Sequence, residues 1–369
     1  MEVGCLQQCQ NFEDRRTDQE VMENILRIAD LYEPAGFDFL LMAEHHFHGY
    51  SMTPSPPNFL AYMAGRTTRI KLGSGVIIVP WNDPYRAATQ LLMLDYLSKG
   101  RAVLGLGRGL SKLEMDNFGI DMSLTRPMYD EGARKIIDTL NTGIYPGGGQ
   151  FYNSMKRCEV RPAPLSKDWS NRTYCVGMSR DSAIEAGRLG GRLMTFTSIP
   201  WEMYLQTCFD PYKEAFIATQ GREPGPMVCG DCVYVHEDEE RAKEIAYEHF
   251  GNYVVWTQKF YQTDGEHMKK AKGYESYAER AKLSAAVGSD AVREHFCSMQ
   301  LWGTPKQIVE KVRARQEVLR HPFDLCALFG VGGMDWGVLE DCIKLMGRKV
   351  IPELKKLTEK PAFKVARSA

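Results

Sequence analysis

Eight apolar runs recur along the 369-residue chain, and segments with helical periodicity separate them. The runs cover residues 1–9, 37–42, 70–79, 101–106, 173–178, 193–197, 227–235 and 323–329. Continuous runs of this kind are typical of parallel strands, because helices cover such strands on both faces. With no linker between them, the runs predict one α/β domain over residues 1–369, a single (β/α)₈ TIM barrel.

The segments between these runs carry recognisable helix signals. Residues 84–97 and 125–140 have helical periodicity, and further helices are expected to begin near Ser179, Trp201, Asp238 and Asp335. Thr304-Pro305-Lys306-Gln307 has the spacing of a capping box with proline at the first helical position. The alternation of strand and helix is therefore supported by local chemistry as well as by hydropathy.

The chain is longer than the roughly 250 residues typical of this fold, so insertions are expected. One candidate is the segment 143–170, which is rich in Gly and Pro. The other is 253–300, which is dense in Tyr, Lys and Glu and is the candidate lid. An arm that contacts a second subunit is the alternative for this segment.

Composition narrows the class of protein. The formal net charge is −1 and the basic residues are scattered, which argues against nucleic-acid binding. No apolar run approaches the roughly 20 residues of a membrane span, and residues 1–17 do not resemble a signal peptide, so a cytoplasmic location is expected. Cys229-Gly230-Asp231-Cys232 has the spacing of a redox or zinc site, but its strand context favours buried, reduced thiols.

A carboxylate and three imidazoles, Glu44-His45-His46-Phe47-His48, directly follow the run 37–42. Active sites of parallel α/β folds lie at the carboxyl ends of strands. The cluster could bind a metal, or its ring nitrogens could be satisfied by backbone groups. An acid/base or anion-stabilising role is favoured, because histidine titrates near neutral pH.

Gly105-Leu106-Gly107-Arg108-Gly109-Leu110 has leucine where the dinucleotide fingerprint requires its third glycine. The glycines still allow a ligand to approach the backbone, and Arg108 suits a phosphate or a planar polar ring. Alternatively, the glycines only form a tight turn, and the Arg108 side chain lies in solvent. Arg126 and Ser179 stand at later helix starts, where anions are favoured. Together with Arg108 they predict one phosphate pocket.

These motifs, in this order, resemble the bacterial luciferase family of flavin-dependent monooxygenases. The most specific are Glu44-His45-His46 and Leu94-Asp95-Tyr96-Leu97-Ser98-Lys99-Gly100-Arg101, and the similarity extends to Val350-Ile351-Pro352-Glu353-Leu354. The resemblance implies a (β/α)₈ barrel that uses reduced FMN (FMNH₂), with O₂ as co-substrate. It also implies a homodimer and a separate flavin reductase that supplies the FMNH₂.

Carried over by position, the resemblance makes His45 the catalytic imidazole and His46 its neighbour. The implied cofactor-binding positions are Ser74, Gly75, Val76, Gly107, Arg108, Arg126, Met178 and Ser179. The family often has a cis peptide at the position of Gly75–Val76. Gly107 replaces a cysteine of light-emitting luciferase and is expected to open space over the flavin ring. Met178 replaces a glutamate beside the phosphate-binding serine.

The implied chemistry is oxygenation of an apolar aldehyde, ketone or similar small molecule through a C4a-peroxyflavin, which requires a dry site. Phe47, Tyr50, Met52 and Trp81 are the expected walls, and His48, which has no counterpart in the family, is a candidate for substrate recognition. Two alternatives remain open. One is an oxidoreductase of the same superfamily that uses the deazaflavin F420, and the other is a non-catalytic flavin-binding relative.

Overall fold

The computed structural model describes residues 1–270, 274, 281, 282, 286 and 288–357. The strands are β1 (Val3–Gln7), β2 (Phe39–Met42), β3 (Lys71–Ser74), β4 (Ile77–Ile78), β5 (Ala102–Gly107), β6 (Ile144–Tyr145), β7 (Cys158–Glu159), β8 (Thr173–Val176), β9 (Arg192–Phe196), β10 (Met227–Val235), β11 (Leu301–Gly303) and β12 (Phe323–Leu328). The helices are α1 (Asp18–Tyr32), α2 (Pro56–Arg66), α3 (Pro84–Leu97), α4 (Lys112–Asn117), α5 (Thr125–Thr142), α6 (Arg180–Leu189), α7 (Trp201–Tyr204), α8 (Asp210–Gln220), α9 (Glu239–Tyr261), α10 (Glu266–Lys270), α11 (Ser289–Met299), α12 (Pro305–Leu319), α13 (Trp336–Leu345) and α14 (Ile351–Leu357).

Eight parallel strands close into a barrel in the order β1, β2, β3, β5, β8, β9, β10 and β12, and β12 pairs back onto β1. The predicted (β/α)₈ TIM barrel is therefore confirmed. Seven of the eight predicted strand runs match a single barrel strand each. The eighth, 70–79, divides into two strands: β3, which pairs with β2 and β5, and β4, which pairs with β5.

Local sequence explains the ends of several helices. The predicted capping box at Thr304 forms, with the Thr304 side chain accepting from the Gln307 amide, and α12 follows it. Helix α3 has the predicted bounds and begins behind the cap Asp83. Inside the barrel, the ring of Phe39 occupies the space where a side chain at Gly4 would begin, 2.1 Å away. Close contact between β1 and β2 thus requires glycine at this position.

The two expected insertions have different structures. Segment 143–170 contains the antiparallel pair β6 and β7. Segment 253–300 begins inside α9, and its end contains α11. Much of the candidate lid, residues 271–287, lies outside the described residues apart from 274, 281, 282 and 286.

The cysteines carry free thiols, and Cys229 and Cys232 are both buried within β10. Burial raises the pKa of both thiols well above the ordinary value, which disfavours the reactive thiolate. The C-x-x-C spacing is therefore part of a core strand. Across the described ranges, no helix has the length and apolarity needed to cross a membrane.

Glu33 gives a pH-dependent prediction. Burial opposes ionisation of its carboxylate, but hydrogen bonds from the amides of Ile70, Thr68 and Arg69 outweigh this and lower its pKa to about 2. A folded-state pKa below the unfolded value of about 4.3 stabilises the fold above that pH, and the stabilisation disappears as the pH falls toward 2. We expect Glu33→Gln to lower the free energy of unfolding at pH 7 and to cost progressively less below pH ~4.

Urea unfolding at several pH values measures this effect. Glu353→Gln, at an exposed ion pair with Lys356, is the control and should show little pH-dependent difference from the wild type. An unfolding penalty for Glu33→Gln that is the same at pH 3 and pH 7 would contradict the assignment.

Candidate active site

Glu44 joins the end of β2 to the loop that follows β4. Its Oε2 accepts from the Ile78 amide at 3.0 Å, and its Oε1 accepts from Trp81 Nε1 and Asn82 Nδ2, each at 2.9 Å. The residue is buried. A buried carboxylate with several donors is well satisfied, so Glu44 fixes the local backbone and the Trp81 ring.

His45 is held by a second carboxylate. Its Nδ1 lies 3.1 Å from Oε1 of Glu114, and the same oxygen accepts from the His46 amide at 2.7 Å. Glu114 is buried and lies in α4, where its amide donates to the capping hydroxyl of Ser111 at 3.3 Å. Because an ionised carboxylate only accepts, we assign the proton of a neutral His45 to Nδ1, which leaves Nε2 with a lone pair.

Sequence reasoning did not identify Glu114 as a partner of His45. A signal for its helix is present, since Ser111 and Glu114 have the spacing of an N-terminal cap directly after the glycine-rich run. Both residues follow β5, whereas His45 follows β2. The sheet order, in which β3 pairs with both β2 and β5, brings these strand ends together.

The other two histidines have different surroundings. His46 Nε2 lies 3.3 Å from Glu44 Oε1, and the imidazole packs edge-on against Phe118 with ring centres 4.8 Å apart. His48 is exposed, and its Nδ1 accepts from the Tyr50 amide at 3.0 Å. Within the described part of the chain, no three His, Cys, Asp or Glu side chains are arranged to hold a metal ion.

The expected apolar walls need one correction. Tyr50 is buried and stacks on Phe260, with ring centres 4.4 Å apart. Trp81 stacks on Phe118 at 5.4 Å. Phe47 is instead 56% exposed, because it lies in a turn with a φ of 64° and contacts Phe118 from the outer side. Phe47 therefore forms part of the rim and does not line a dry interior.

Gly107 packs against Val76, and its expected role over a flavin ring stays a prediction. A Cβ at Gly107 would lie 2.3 Å from Cγ2 of Val76, so a larger side chain at this position would meet Val76. The Gly75–Val76 peptide bond is cis, as the resemblance implies. Ser74, at the end of β3, is buried, and its carbonyl oxygen would lie 2.1 Å from a Cβ at Gly105. The small residues on β3 and β5 thus pack against each other.

Arg108 is covered by an aromatic ring. Its guanidinium carbon lies 3.8 Å from the ring centre of Tyr274, a cation–π arrangement. The Tyr274 hydroxyl donates to the Gly109 carbonyl at 2.9 Å and lies 3.1 Å from Thr125 Oγ1. Arg108 is thus held at the barrel mouth, which disfavours the alternative of a solvent-facing turn residue.

Arg126 lies in the first turn of α5, and its Nη1 is 3.7 Å from Oδ1 of Asp130. Among the residues that the structure describes, Arg126 Nη2 and Asp130 Oδ1 are buried without a hydrogen-bond partner. Burial raises the pKa of Asp130, and the charges of Arg126 and Arg108 oppose this rise. The two arginines thus share one charged neighbourhood, and a guanidinium N–H left unpaired there fits an anionic ligand such as phosphate.

Ser179 caps α6, and its Oγ lies 2.9 Å from the hydroxyl of Ser182. It follows β8, which pairs with β5, so Ser179 and Arg108 extend from neighbouring strands. Met178 is directed elsewhere: its sulfur accepts from Thr195 Oγ1 and the Phe196 amide, each at 3.3 Å. Ser179 and Arg108 thus follow paired strands, and the Met178 side chain is turned toward β9.

This geometry defines a class of protein: a (β/α)₈ barrel with polar side chains at the carboxyl ends of its strands. Over residues 1–321 of 369, the chain matches the family of luciferase-like monooxygenases, and it belongs to that family. It is 37% identical over 121 residues to 4-hydroxyprotoasukamycin monooxygenase of Streptomyces nodosus subsp. asukaensis, a stretch covering 33% of this chain and 32% of that protein. The chain spans less than half the length of the curated relatives it matches.

Solved structures with the same fold include enzymes with different cofactors. The oxygenating constituent of 3,6-diketocamphane monooxygenase of Pseudomonas putida, in complex with FMN, aligns with a TM-score of 0.74 at 18% identity, covering 95% of this chain and 98% of that chain. An F420-dependent secondary alcohol dehydrogenase, bound to an F420-acetone adduct, aligns with a TM-score of 0.71 at 15% identity, covering 96% and 99%. At these identities the similarity establishes the fold alone.

Proposed function

We propose that this protein is a flavin-dependent monooxygenase of the two-component type. It would take reduced FMN from a separate flavin reductase and use O₂ to oxygenate an apolar aldehyde, ketone or similar small molecule. The observation that carries the proposal is the buried, unpaired Nη2 of Arg126 at the barrel end that also holds the His45–Glu114 pair. Membership of the luciferase-like monooxygenase family supports the proposed monooxygenase function.

The residues present fit the phosphate of FMN. Arg126 offers a buried N–H with no hydrogen-bond partner among the described residues, and Arg108 contributes a second positive charge to the same neighbourhood. Ser179 begins α6, where a helix N-terminus favours an anion. Ser74, Gly75 and Val76 would lie against the flavin ring. When bound in its reduced form, the cofactor supplies the electrons that activate O₂.

The chain itself contributes a proton carrier and dry walls. His45 can accept a proton at Nε2, and Glu114 stabilises the imidazolium that results. The packed rings of Tyr50, Phe260 and Trp81 exclude water from this side of the mouth. Reactive oxygen chemistry needs both features, because stray protons and water divert it.

The cofactor and the reaction class can be tested together. Anaerobic titrations with reduced FMN, oxidised FMN and reduced F420 should show a preference for reduced FMN. With ¹⁸O₂ and a panel of apolar aldehydes and ketones, mass spectrometry should then detect one labelled oxygen atom in the product. Preference for F420 and hydride transfer without incorporation of oxygen would overturn the proposal in favour of the deazaflavin alternative.

The phosphate pocket gives a sharper prediction. We expect Arg126→Ala and Arg108→Ala each to weaken binding of reduced FMN by roughly 10- to 100-fold, because a hydrogen bond to a charged group contributes about 1.5–3 kcal/mol. Reduced riboflavin, which lacks the phosphate, should lose much less affinity. Arg134→Ala, on the same helix but half-exposed, is the matched control. Equal losses for the two flavins would show that these arginines do not bind the phosphate.

We also propose a homodimer that uses α2 and α3. These two adjacent helices expose four large side chains, Tyr62 at 49%, Met93 at 48%, Tyr96 at 42% and Leu97 at 52%. Neighbouring exposed apolar side chains often mark an interface between proteins. This face supports self-association on the outside of the barrel, away from the mouth.

A further inference from the structure

Tyr261, the last residue of α9, reaches the one ring nitrogen of His45 that Glu114 does not bind. Its hydroxyl lies 3.4 Å from His45 Nε2. The Tyr261 ring is fixed by Tyr50 and Phe260, with ring centres 5.5 and 4.9 Å away. His45 therefore has a carboxylate on one side and a phenol on the other.

The direction of the hydrogen bond between Tyr261 and His45 follows from the contact between His45 and Glu114. With the His45 proton on Nδ1 and directed at Glu114, Nε2 can only accept, so the Tyr261 hydroxyl is the donor. Burial, followed by the charges of Tyr50 and Glu114, raises the pKa of Tyr261 well above its ordinary value. The phenol therefore stays protonated near neutral pH and remains able to donate.

We propose that Glu114, His45 and Tyr261 form a proton relay in which the Tyr261 hydroxyl is the end that meets the ligand. The inference rests on the proposed function and names a further residue for it. A ligand proton passes to Oη of Tyr261 while the phenolic proton passes to Nε2 of His45. The ligand thus loses one proton, Tyr261 ends neutral, and His45 becomes an imidazolium paired with the Glu114 carboxylate. The reverse transfer returns a proton to the ligand.

His45 has little direct access to solvent. Its side chain is only 12% exposed, and its ring packs edge-on against Tyr50 and Phe260. An enclosed base can exchange protons through a neighbour that lies within hydrogen-bond reach of it. Tyr261 is the neighbour in that position.

The resting geometry can be tested without turnover. In the ligand-free protein with ¹⁵N-labelled histidine, the His45 ring signals, assigned with His45→Ala, should show a protonated Nδ1 and an unprotonated Nε2. Glu114→Gln should reduce the population of this tautomer, because the amide can also donate to Nδ1. A wild-type His45 protonated on Nε2 would overturn the relay, whatever the activity of the other variants.

The activity test compares two Tyr→Phe variants in the same helix, α9. Tyr261→Phe should slow product formation in a single turnover on the order of 10²-fold, the lower range for lost proton transfer, with reduced-FMN affinity within severalfold. Tyr247→Phe, whose hydroxyl faces Glu294 at 3.2 Å, should match the wild type. If the wild type oxygenates substrate and Tyr261→Phe does so equally fast, the relay is wrong. A wild type that fails with reduced FMN and O₂ would instead refute the proposed function.

Discussion

Replacing His45 by alanine is expected to cut turnover by on the order of 10²-fold or more while leaving the affinity for reduced FMN within severalfold. The variant removes the side chain that joins Glu114 to Tyr261, which interrupts proton transfer between them. The proposed phosphate pocket at Arg126 is left unchanged by this substitution. Stopped-flow measurement of product formation, together with an anaerobic binding titration, separates these two quantities.

A matched histidine change tests whether the effect is specific. His236 precedes α9 and is partly exposed, and its Nδ1 accepts from the Asp238 amide at 3.0 Å. His236→Ala should therefore retain wild-type turnover. If His45→Ala loses flavin affinity and turnover in the same proportion, His45 contributes to binding and the acid/base assignment is wrong.

The largest effect on stability is expected at a buried ion pair beside β10. Arg315 Nη1 and Nη2 donate to the two oxygens of Asp231 at 2.6 and 2.7 Å, and Thr197 also donates to Asp231 at 2.7 Å. The side chains of Arg315 and Asp231 are 4% and 0% exposed. We expect Arg315→Ala to lower the free energy of unfolding by about 3–5 kcal/mol, because it leaves the Asp231 charge buried without its counterion.

Urea denaturation measures this change, and two further variants interpret it. The double variant Asp231→Leu with Arg315→Met should regain much of the lost stability, since no unpaired charge remains. Lys344→Ala breaks an exposed pair with Glu340 and should cost at most about 1 kcal/mol. A loss below 1 kcal/mol for Arg315→Ala would show that the buried carboxylate finds other compensation.

Much of the architecture could be predicted because its causes are local in the chain. Continuous apolar runs predicted the barrel strands, the capping box at Thr304 predicted where α12 begins, and helical periodicity predicted α3. The small helix α4 was missed. It has only six residues, too few for a clear periodicity.

The candidate site could also be predicted only in part. His45, His46, Arg108, Arg126 and Ser179 could be named from the sequence, because each follows a strand run or begins a helix. Their partners could not be named. Glu114 is 69 residues from His45 and Tyr261 is 216 residues away, so neither contact leaves a periodic signal.

The sequence by itself therefore determined the order of strands and helices and the polar residues at the strand ends. Tertiary structure decided which of those residues meet. The fold set Glu114 and Tyr261 on opposite nitrogens of His45, packed Val76 against Gly107 and left Phe47 exposed. The physical reason is that hydropathy and capping act over a few neighbouring residues, whereas hydrogen-bond partners and packing depend on distances across the closed barrel.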